Sequence, residues 1–510
     1  MADENKGYCG GRALAAVLIA GLFLRLYIAS LPMETMLPNL LSDDVFYYLK
    51  LAGNVAAGRP ASFDGIEPTN GFHPLYALLL TVLYSLGGQS LGLDMPVRIA
   101  LAALSVFDVL TGFVIYKILM LPAFGSNRNG ALLGCLFWTF NPFVISGTFY
   151  GLETALAAFF ISLVFYAYLR ALESGSYHGY LSCGLLAGFA LLARSDAVFL
   201  VAAVAWDITV RRNFKALLLF LSAAGLVYSP WLLWGLLNFG MFQQDSGAVM
   251  SYVNGVREGG FLSQSYMQAK FSAIYLTARI LAMFAASIAL PIALLLLMPA
   301  GRKILRGGLK KSAGSFIVWY CVLLLAYYAL VLGGGTRRYY HPLLIVAALF
   351  AGLVYSRLSS ASLNIRKAFA VLLLFNLLFA GWFYWWYRPL SPQAWHSDLY
   401  DAALWIGGNT KPGDRIGGFN SGIVGYYSGR TVTNLDGVIN HNAYLSITNR
   451  CLYAYIRESD IAYLVDNLNT FPAAAPFMGK DDYMSHLKVV YKKPLRERPG
   501  EYVVVYEVVD

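Results

Sequence analysis

The chain of 510 residues is 58% hydrophobic and 15% aromatic, and only 13% of it is charged. A soluble domain carries roughly twice that charge, so the composition excludes a soluble globular protein and points to many membrane crossings. The net charge of +10 is carried largely by short Lys and Arg clusters between apolar segments, a pattern of topology signals that gives no reason to expect a nucleic-acid partner.

Taken in order, residues 13–31 form an apolar run with no small-residue cleavage site after it, which predicts a retained membrane helix rather than a removed leader. Next comes 42–76, SDDVFYYLKLAGNVAAGRPASFDGIEPTNGFHPLY, the polar, acid-bearing, turn-rich stretch of an oily first third. Adjacent acids Asp43 and Asp44 precede a short amphipathic stretch at 46–57. Two neighbouring carboxylates repel, so the pair calls for a cation, a donor or a shared proton. Both acids would also suit the first turn of the following helix. That accounts for the acids and not for the rest of the loop.

Eleven spans are predicted, at 13–31, 97–119, 131–148, 152–169, 180–193, 197–210, 214–237, 271–298, 316–332, 342–355 and 368–387. The run 74–86 is short for a crossing, which needs about 20 residues. If it stays on the outer surface, Arg12, Lys117, Arg128, Arg170, Arg211, Arg212, Lys215, the cluster Arg302 to Lys311, Arg357, Arg366 and Lys367 all fall in the cytoplasm. If it crosses, the positive-inside rule fails repeatedly. The outer face then holds the Asp43 loop, the turn 141–153, the hairpin Arg194-Ser195-Asp196, the loop 238–270, the turn 333–341 and everything after 388.

Arg337 and Arg338, in GGGTRRYYHP, break the charge pattern that the other loops obey. Guanidiniums match phosphate oxygens, so Arg337 and Arg338, with Tyr339 and His341 beside them, are the expected clamp on a lipid-linked phosphate. Arg25, in the first span, is expected to snorkel or pair with the loop above, and Asp108, deep in the second, to be partnered or neutral and structural. Asp196 is expected to pair back onto Arg194. Cys9, Cys135, Cys183, Cys321 and Cys451 show no zinc-ligand spacing and leave no disulfide within the C-terminal region.

The order of these features resembles the large GT-C type membrane glycosyltransferases, which include protein O-mannosyltransferases, aminoarabinose transferases, arabinofuranosyltransferases and oligosaccharyltransferases. The likeness rests on an acid pair followed by an aromatic, Asp43-Asp44-x-x-Tyr47, and on His73-Pro74-Leu75 ending the same loop. It implies a polyprenyl-phosphate sugar donor, a glycan, glycolipid or protein acceptor, and one-step inverting transfer with a carboxylate base. By position that base is Asp43, with Asp44 second. It also implies that Glu153, after NPFVISGTFYGLE, is a second acid holding the acceptor or a metal. It fixes no cofactor, since some of these families use a divalent cation and others do not; Asp44 and Glu153 are the residues that would bridge one. Tyr47, Glu67, Asn70, His73, Asp245, Tyr252 and Arg257 are the expected loop contacts to substrate.

From 389 the composition becomes that of a soluble α/β domain, with strands RIGGF, TVTNLD, IAYLVD, HLKVVY and EYVVVYEVV. Asn420, Asn434, Asp436 and Asn440 follow strands, where they suit either turns or sugar hydroxyls; Asn420, Asp436 and Asn440 are the expected glycan contacts. The whole is therefore read as an α-helical polytopic GT-C-like catalytic module at 1–388, with an outer loop at 32–96, and an extracytoplasmic α/β domain at 389–510. It lies among the lipids of the cytoplasmic (inner) membrane with its site on the periplasmic side. A transporter or flippase is the rival reading, but it predicts polar groups and broken helices near the bilayer midplane. A non-catalytic envelope scaffold would leave Asp43, Asp44 and the arginine turn without a use.

Overall fold

The structure, a computed structural model, describes residues 2–87, 92–259, 263–299, 302, 311–332, 335–358, 362–386, 395–480, 482–496 and 498–509. Gly333 and Gly334, residues 303–310 of the basic cluster and the boundary at 388–389 lie outside the described residues.

Among the described residues, seven helices are long and apolar enough to cross a membrane: Gly11–Ala29, Asp94–Leu119, Thr154–Ser174, Phe214–Phe239, Gln264–Ala286, Gly314–Val331 and Leu363–Trp382. Tyr177–Ala193, Val198–Val210 and Leu343–Arg357 are shorter. The stretch expected as one span at 131–148 is two helices, Arg128–Phe140 and Pro142–Phe149, bent by 47°. Asn141 between them has ψ 122°, as a residue before proline prefers, and its side chain accepts from the Phe143 N–H at 2.9 Å. The expected span 271–298 is likewise broken after Ala286. Asn376 of helix Leu363–Trp386 bridges that break, accepting from Leu290 N–H at 2.9 Å and donating to the Ala286 carbonyl.

Two features hold the helices together. Arg25 and Asp108 are both fully buried, and they pair with each other, Arg25 Nε donating to Asp108 Oδ2 at 2.6 Å. Arg25 Nη1 also donates to the Thr139 carbonyl at 2.9 Å, and Trp138 Nε1 to the Asp108 carbonyl at 2.9 Å. Arg25 therefore neither snorkels nor reaches the loop above. Elsewhere glycines let backbones meet, as small residues do between membrane helices. A Cβ on Gly352 would lie 2.7 Å from the Gly130 carbonyl, and one on Gly134 2.9 Å from that of Ala348.

The short helix Pro74–Ser85 packs on helix Asp44–Ala56, with the Tyr48 and Tyr76 rings 4.8 Å apart. At 12 residues it is too short to cross unaided.

The C-terminal region is an α/β layer. Strands β1 (Arg415–Gly418), β2 (Thr431–Asn434), β3 (Ile461–Asn467), β4 (Leu487–Pro494) and β5 (Tyr502–Val508) form one sheet in the order β2-β1-β3-β5-β4. The β1 pairings with β2 and β3 are parallel, and the pairings of β5 are antiparallel. Between β1 and β2 runs helix Gly422–Tyr427, wholly buried, which faces the outer loop of the membrane region. The carboxyl ends of β1 and β2 thus point at 42–76.

Candidate active site

The loops assigned to one face of the membrane do meet. Ser42 N–H donates to the Tyr150 carbonyl at 3.1 Å and Tyr76 OH to the Gly151 carbonyl at 2.6 Å, joining the first loop to the turn 141–153. Asp44, first residue of helix Asp44–Ala56, accepts from Arg338 Nη1 at 2.8 Å. Asp44 is the more open of the acid pair, its side chain 37% exposed.

Behind Arg338 lies a second charged group. Arg194 is buried, and it donates from Nη1 to Glu153 Oε1 at 2.6 Å and from Nη2 to Asp196 Oδ2 at 2.8 Å. Asp196 pairs back onto Arg194 as expected and also accepts from Tyr328 OH at 2.5 Å. Tyr328 sits in a π-helical turn, Tyr327–Val331, an irregularity frequent at functional sites. Its ring stacks on Tyr339 at 4.8 Å, and the guanidiniums of Arg194 and Arg338 approach the Tyr339 ring at 5.4 and 5.2 Å. His73 Nε2 stands 3.8 Å from Glu153 Oε1. Burial would raise the Glu153 carboxyl, but His73, Arg194 and Arg338 hold it below the usual carboxylate range. Sequence reasoning stopped at the Arg194–Asp196 pair and missed Arg194 and Tyr328 as members of the site; Arg194, a cation closing an apolar run, was the available signal.

Arg338 also lines a narrow crevice with Arg337, His341, Ser146, Gly147, Phe143, Tyr150 and Phe284, too tight in this arrangement to hold a water molecule. Two guanidiniums thus stand in a largely aromatic wall. Gly147 makes room for the buried His341 ring, since a Cβ there would come within 2.4 Å of it. Burial pushes the His341 imidazole down to about 4, so it is neutral near pH 7.

Asp43 has a different setting from Asp44. It is 6% exposed, and its Oδ2 and Oδ1 accept from Gly422 N–H at 2.9 Å and Ile423 N–H at 2.7 Å. Burial pushes its carboxyl up to about 7, with Asp44 adding to the rise and those two N–H groups opposing it. Tyr47 OH accepts from Ser421 N–H at 3.1 Å and donates to the Phe419 carbonyl at 3.2 Å. Asp436, just beyond β2, accepts from Val438 N–H at 2.9 Å and lies within electrostatic reach of Asp44, Asp43 and Tyr47.

Several expected contacts are occupied elsewhere. Asn420 donates to Asp466 at 3.0 Å, and Asn440 caps helix His441–Thr448, accepting from Ala443 N–H at 3.1 Å. Both are tied up within their own domain. Asp245, fully buried, joins His441 Nδ1 at 2.8 Å and Thr69 Oγ1 at 3.2 Å, while Asn70 Oδ1 accepts from Asp245 N–H at 2.8 Å. Tyr252 OH donates to the Thr448 carbonyl at 3.1 Å, and Glu67 accepts from Asn442 at 2.5 Å. These four residues form a seam between the loops and the C-terminal domain rather than line the polar centre, and Arg257 is exposed on the last turn of helix Asp245–Glu258. Nor do Asp44 and Glu153 form a cation site in this arrangement. Each faces a guanidinium, and no group of three His, Cys, Asp or Glu suited to a metal occurs among the described residues.

Residues 69–234 match the family model described as dolichyl-phosphate-mannose-protein mannosyltransferase, and 391–507 match a domain of unknown function. No curated protein matches the chain. Among solved structures, ArnT from Cupriavidus metallidurans in the apo state aligns over 96% of this chain and 97% of its own, with 12% identity and a TM-score of 0.57. The archaeal oligosaccharyltransferase AglB from Archaeoglobus fulgidus, in complex with an inhibitory peptide and a dolichol-phosphate, aligns over 95% of this chain and 73% of its own, with 12% identity and a TM-score of 0.54. At such identities the likeness is one of fold, shared with ArnT and AglB over nearly the whole of this chain.

Proposed function

We propose that this chain is a membrane glycosyltransferase of GT-C type that moves a sugar from a polyprenyl-phosphate to a hydroxyl-bearing glycan, glycolipid or protein on the periplasmic side of the cytoplasmic membrane, a reading supported by the partial family match and the shared fold. The observation that carries this reading is the placement of Arg338. Its Nη1 donates to Asp44 at 2.8 Å, and the same side chain lines, with Arg337, a narrow crevice walled by Phe143, Tyr150 and Phe284. A carboxylate and a phosphate clamp are thus one side chain apart, and the aromatic wall suits the start of an isoprenoid tail.

The chemistry needs that pairing. As the acceptor oxygen bonds to the anomeric carbon, the bond from that carbon to the phosphate oxygen breaks with its electron pair, and the hydroxyl proton must go to a base within hydrogen-bond reach. Asp44 is open to an acceptor, whereas both Asp43 oxygens already hold backbone N–H groups. We therefore assign the base to Asp44, the second choice on position alone. Negative charge grows on the departing phosphate, where Arg337 and Arg338 stabilise it. A single displacement inverts the anomeric carbon. No step is routed through a metal, because Asp44 and Glu153 are each matched by an arginine.

The test is sugar transfer by purified protein given dolichyl-phosphate mannose and polyprenyl-phosphate arabinofuranose and aminoarabinose, with membrane extract as acceptor. Wild type should transfer one of them, and Asp44→Asn and Arg338→Ala should each lose about a hundredfold or more. Transfer that survives Asp44→Asn would remove Asp44 as base.

A further inference from the structure

We infer that Asp43 is a positioning residue that acts through the C-terminal domain, clasping with Tyr47 the turn before helix Gly422–Tyr427 and so fixing the wall opposite Asp44 against which the acceptor lies. This rests on the reading of Asp44 as the base. Three successive backbone N–H groups are held by two side chains of the first loop: Ser421 by Tyr47 OH at 3.1 Å, Gly422 and Ile423 by the Asp43 carboxylate at 2.9 and 2.7 Å. Tyr47 also reaches the ends of β1 and β2, donating to the Phe419 carbonyl at 3.2 Å and accepting from Asn434 Nδ2 at 3.4 Å.

Shape restricts the contact as closely as hydrogen bonding does. A Cβ on Gly422 would lie 2.2 Å from the Asp43 carbonyl oxygen, and one on Gly425 2.3 Å from the Phe63 ring. A side chain at Gly422 fits only if backbone moves, and one at Gly425 only if the Phe63 ring gives way. The far end of the same helix is anchored to other elements: Tyr426 OH donates to the Leu93 carbonyl at 2.7 Å and meets Tyr84 OH at 3.2 Å, and Tyr427 OH donates to Asp94 at 3.2 Å. Phe46 packs on both tyrosine rings at 5.3 and 5.5 Å. This short helix is therefore a key seated between helices Asp44–Ala56, Pro74–Ser85 and Asp94–Leu119. The strand ends that carry it also carry Asp436, which accepts from Val438 N–H at 2.9 Å.

A base and a clasp leave different signatures. Loss of a base slows attack by any hydroxyl, water included, whereas loss of the clasp slows attack by the held acceptor and spares water. The full-length protein in detergent is compared as wild type, Asp43→Asn, Gly422→Val and Asp44→Asn. Hydrogen exchange at 415–436 is measured, together with the partition of the same polyprenyl-phosphate sugars between hydrolysis and transfer to membrane extract. The proposal expects Asp43→Asn and Gly422→Val each to speed exchange at 415–436 by tenfold or more and to shift the partition toward hydrolysis by tenfold or more. Asp44→Asn should lower both reactions and leave exchange unchanged. If Asp43→Asn lowers hydrolysis and transfer together with exchange unchanged, Asp43 is a base and the clasp is overturned. If Gly422→Val leaves exchange unchanged, the seated helix is wrong irrespective of turnover. If wild type turns over none of these sugars, the functional reading fails, while the exchange result still decides whether the clasp exists.

Discussion

Arg338 is asked to do two things at once, and they are separable by substitution. Lysine keeps the charge but loses the planar fork. Arg338→Lys should therefore retain donor binding while transfer falls roughly tenfold to a hundredfold, measured as KM against kcat for the donor; equal kinetics for Lys and Arg would show that a point charge suffices. Asp43 supplies a pH dependence. Its carboxyl is pushed up to about 7 in the docked structure, above its free value, so docking takes up a proton. That contribution is full below about pH 4 and is lost as pH rises through about 7. Asp436, part-exposed at the same seam, shifts the same way, burial being the main cause. Exchange at 415–436, corrected for its intrinsic pH dependence, should be faster at pH 8 than at pH 6, and equal rates would refute a buried carboxyl there. From the sequence, the acid pair called for a cation or donors and the arginine turn for an anion, yet nothing paired Asp44 with Arg338, 294 positions away. Asn420 and Asn440 misled because an amide that caps its own domain reads the same as one offered to a sugar.

At the scale of elements, the membrane region depends on a buried ion pair and on glycine-mediated approach. Removing one member of a buried pair strands the other charge, at a cost of roughly 3–5 kcal/mol, whereas replacing both by apolar residues is often near neutral. Asp108→Leu should accordingly lower the unfolding temperature in detergent well below that of Arg25→Met with Asp108→Leu; equal losses would mean that the pair is not coupled. Gly134→Leu should also destabilise, because the Ala348 carbonyl that its side chain meets belongs to a helix backbone and cannot swing away. Hydropathy placed most of the long helices to within about five residues because apolar run length is itself the requirement for crossing, but it ran 271–298 past the end of helix Gln264–Ala286. It passed over the bends at Asn141 and after Ala286, since a short polar break inside an apolar run barely changes its average. Arg25 and Asp108 were each flagged as needing a partner, but their pairing depends on how two helices pack side by side, which periodicity alone does not fix.

For the whole molecule, the division at 388–389 describes the chain better than it describes the site. Composition anticipated the α/β sheet, whose strands fall where the sequence pattern put them. It gave no sign that helix Gly422–Tyr427 lies wholly buried against helices of the other region. Deleting 389–510 should abolish transfer rather than merely alter acceptor choice, as an assay of the truncated protein in membranes would show; residual transfer at a tenth of wild type or more would contradict the shared site.

The contact between Asp43 and Gly422 joins residues 379 positions apart, which sets an order of events during synthesis. At 5–20 residues per second, roughly 20 to 75 s separate the emergence of the two partners. Through that interval the first loop is present without the turn that closes over it. Under the proposal, a chain that has made Arg338 but not yet the C-terminal turn would spend its donor on water rather than pass the sugar on, so that completion of the last domain is what couples turnover to transfer.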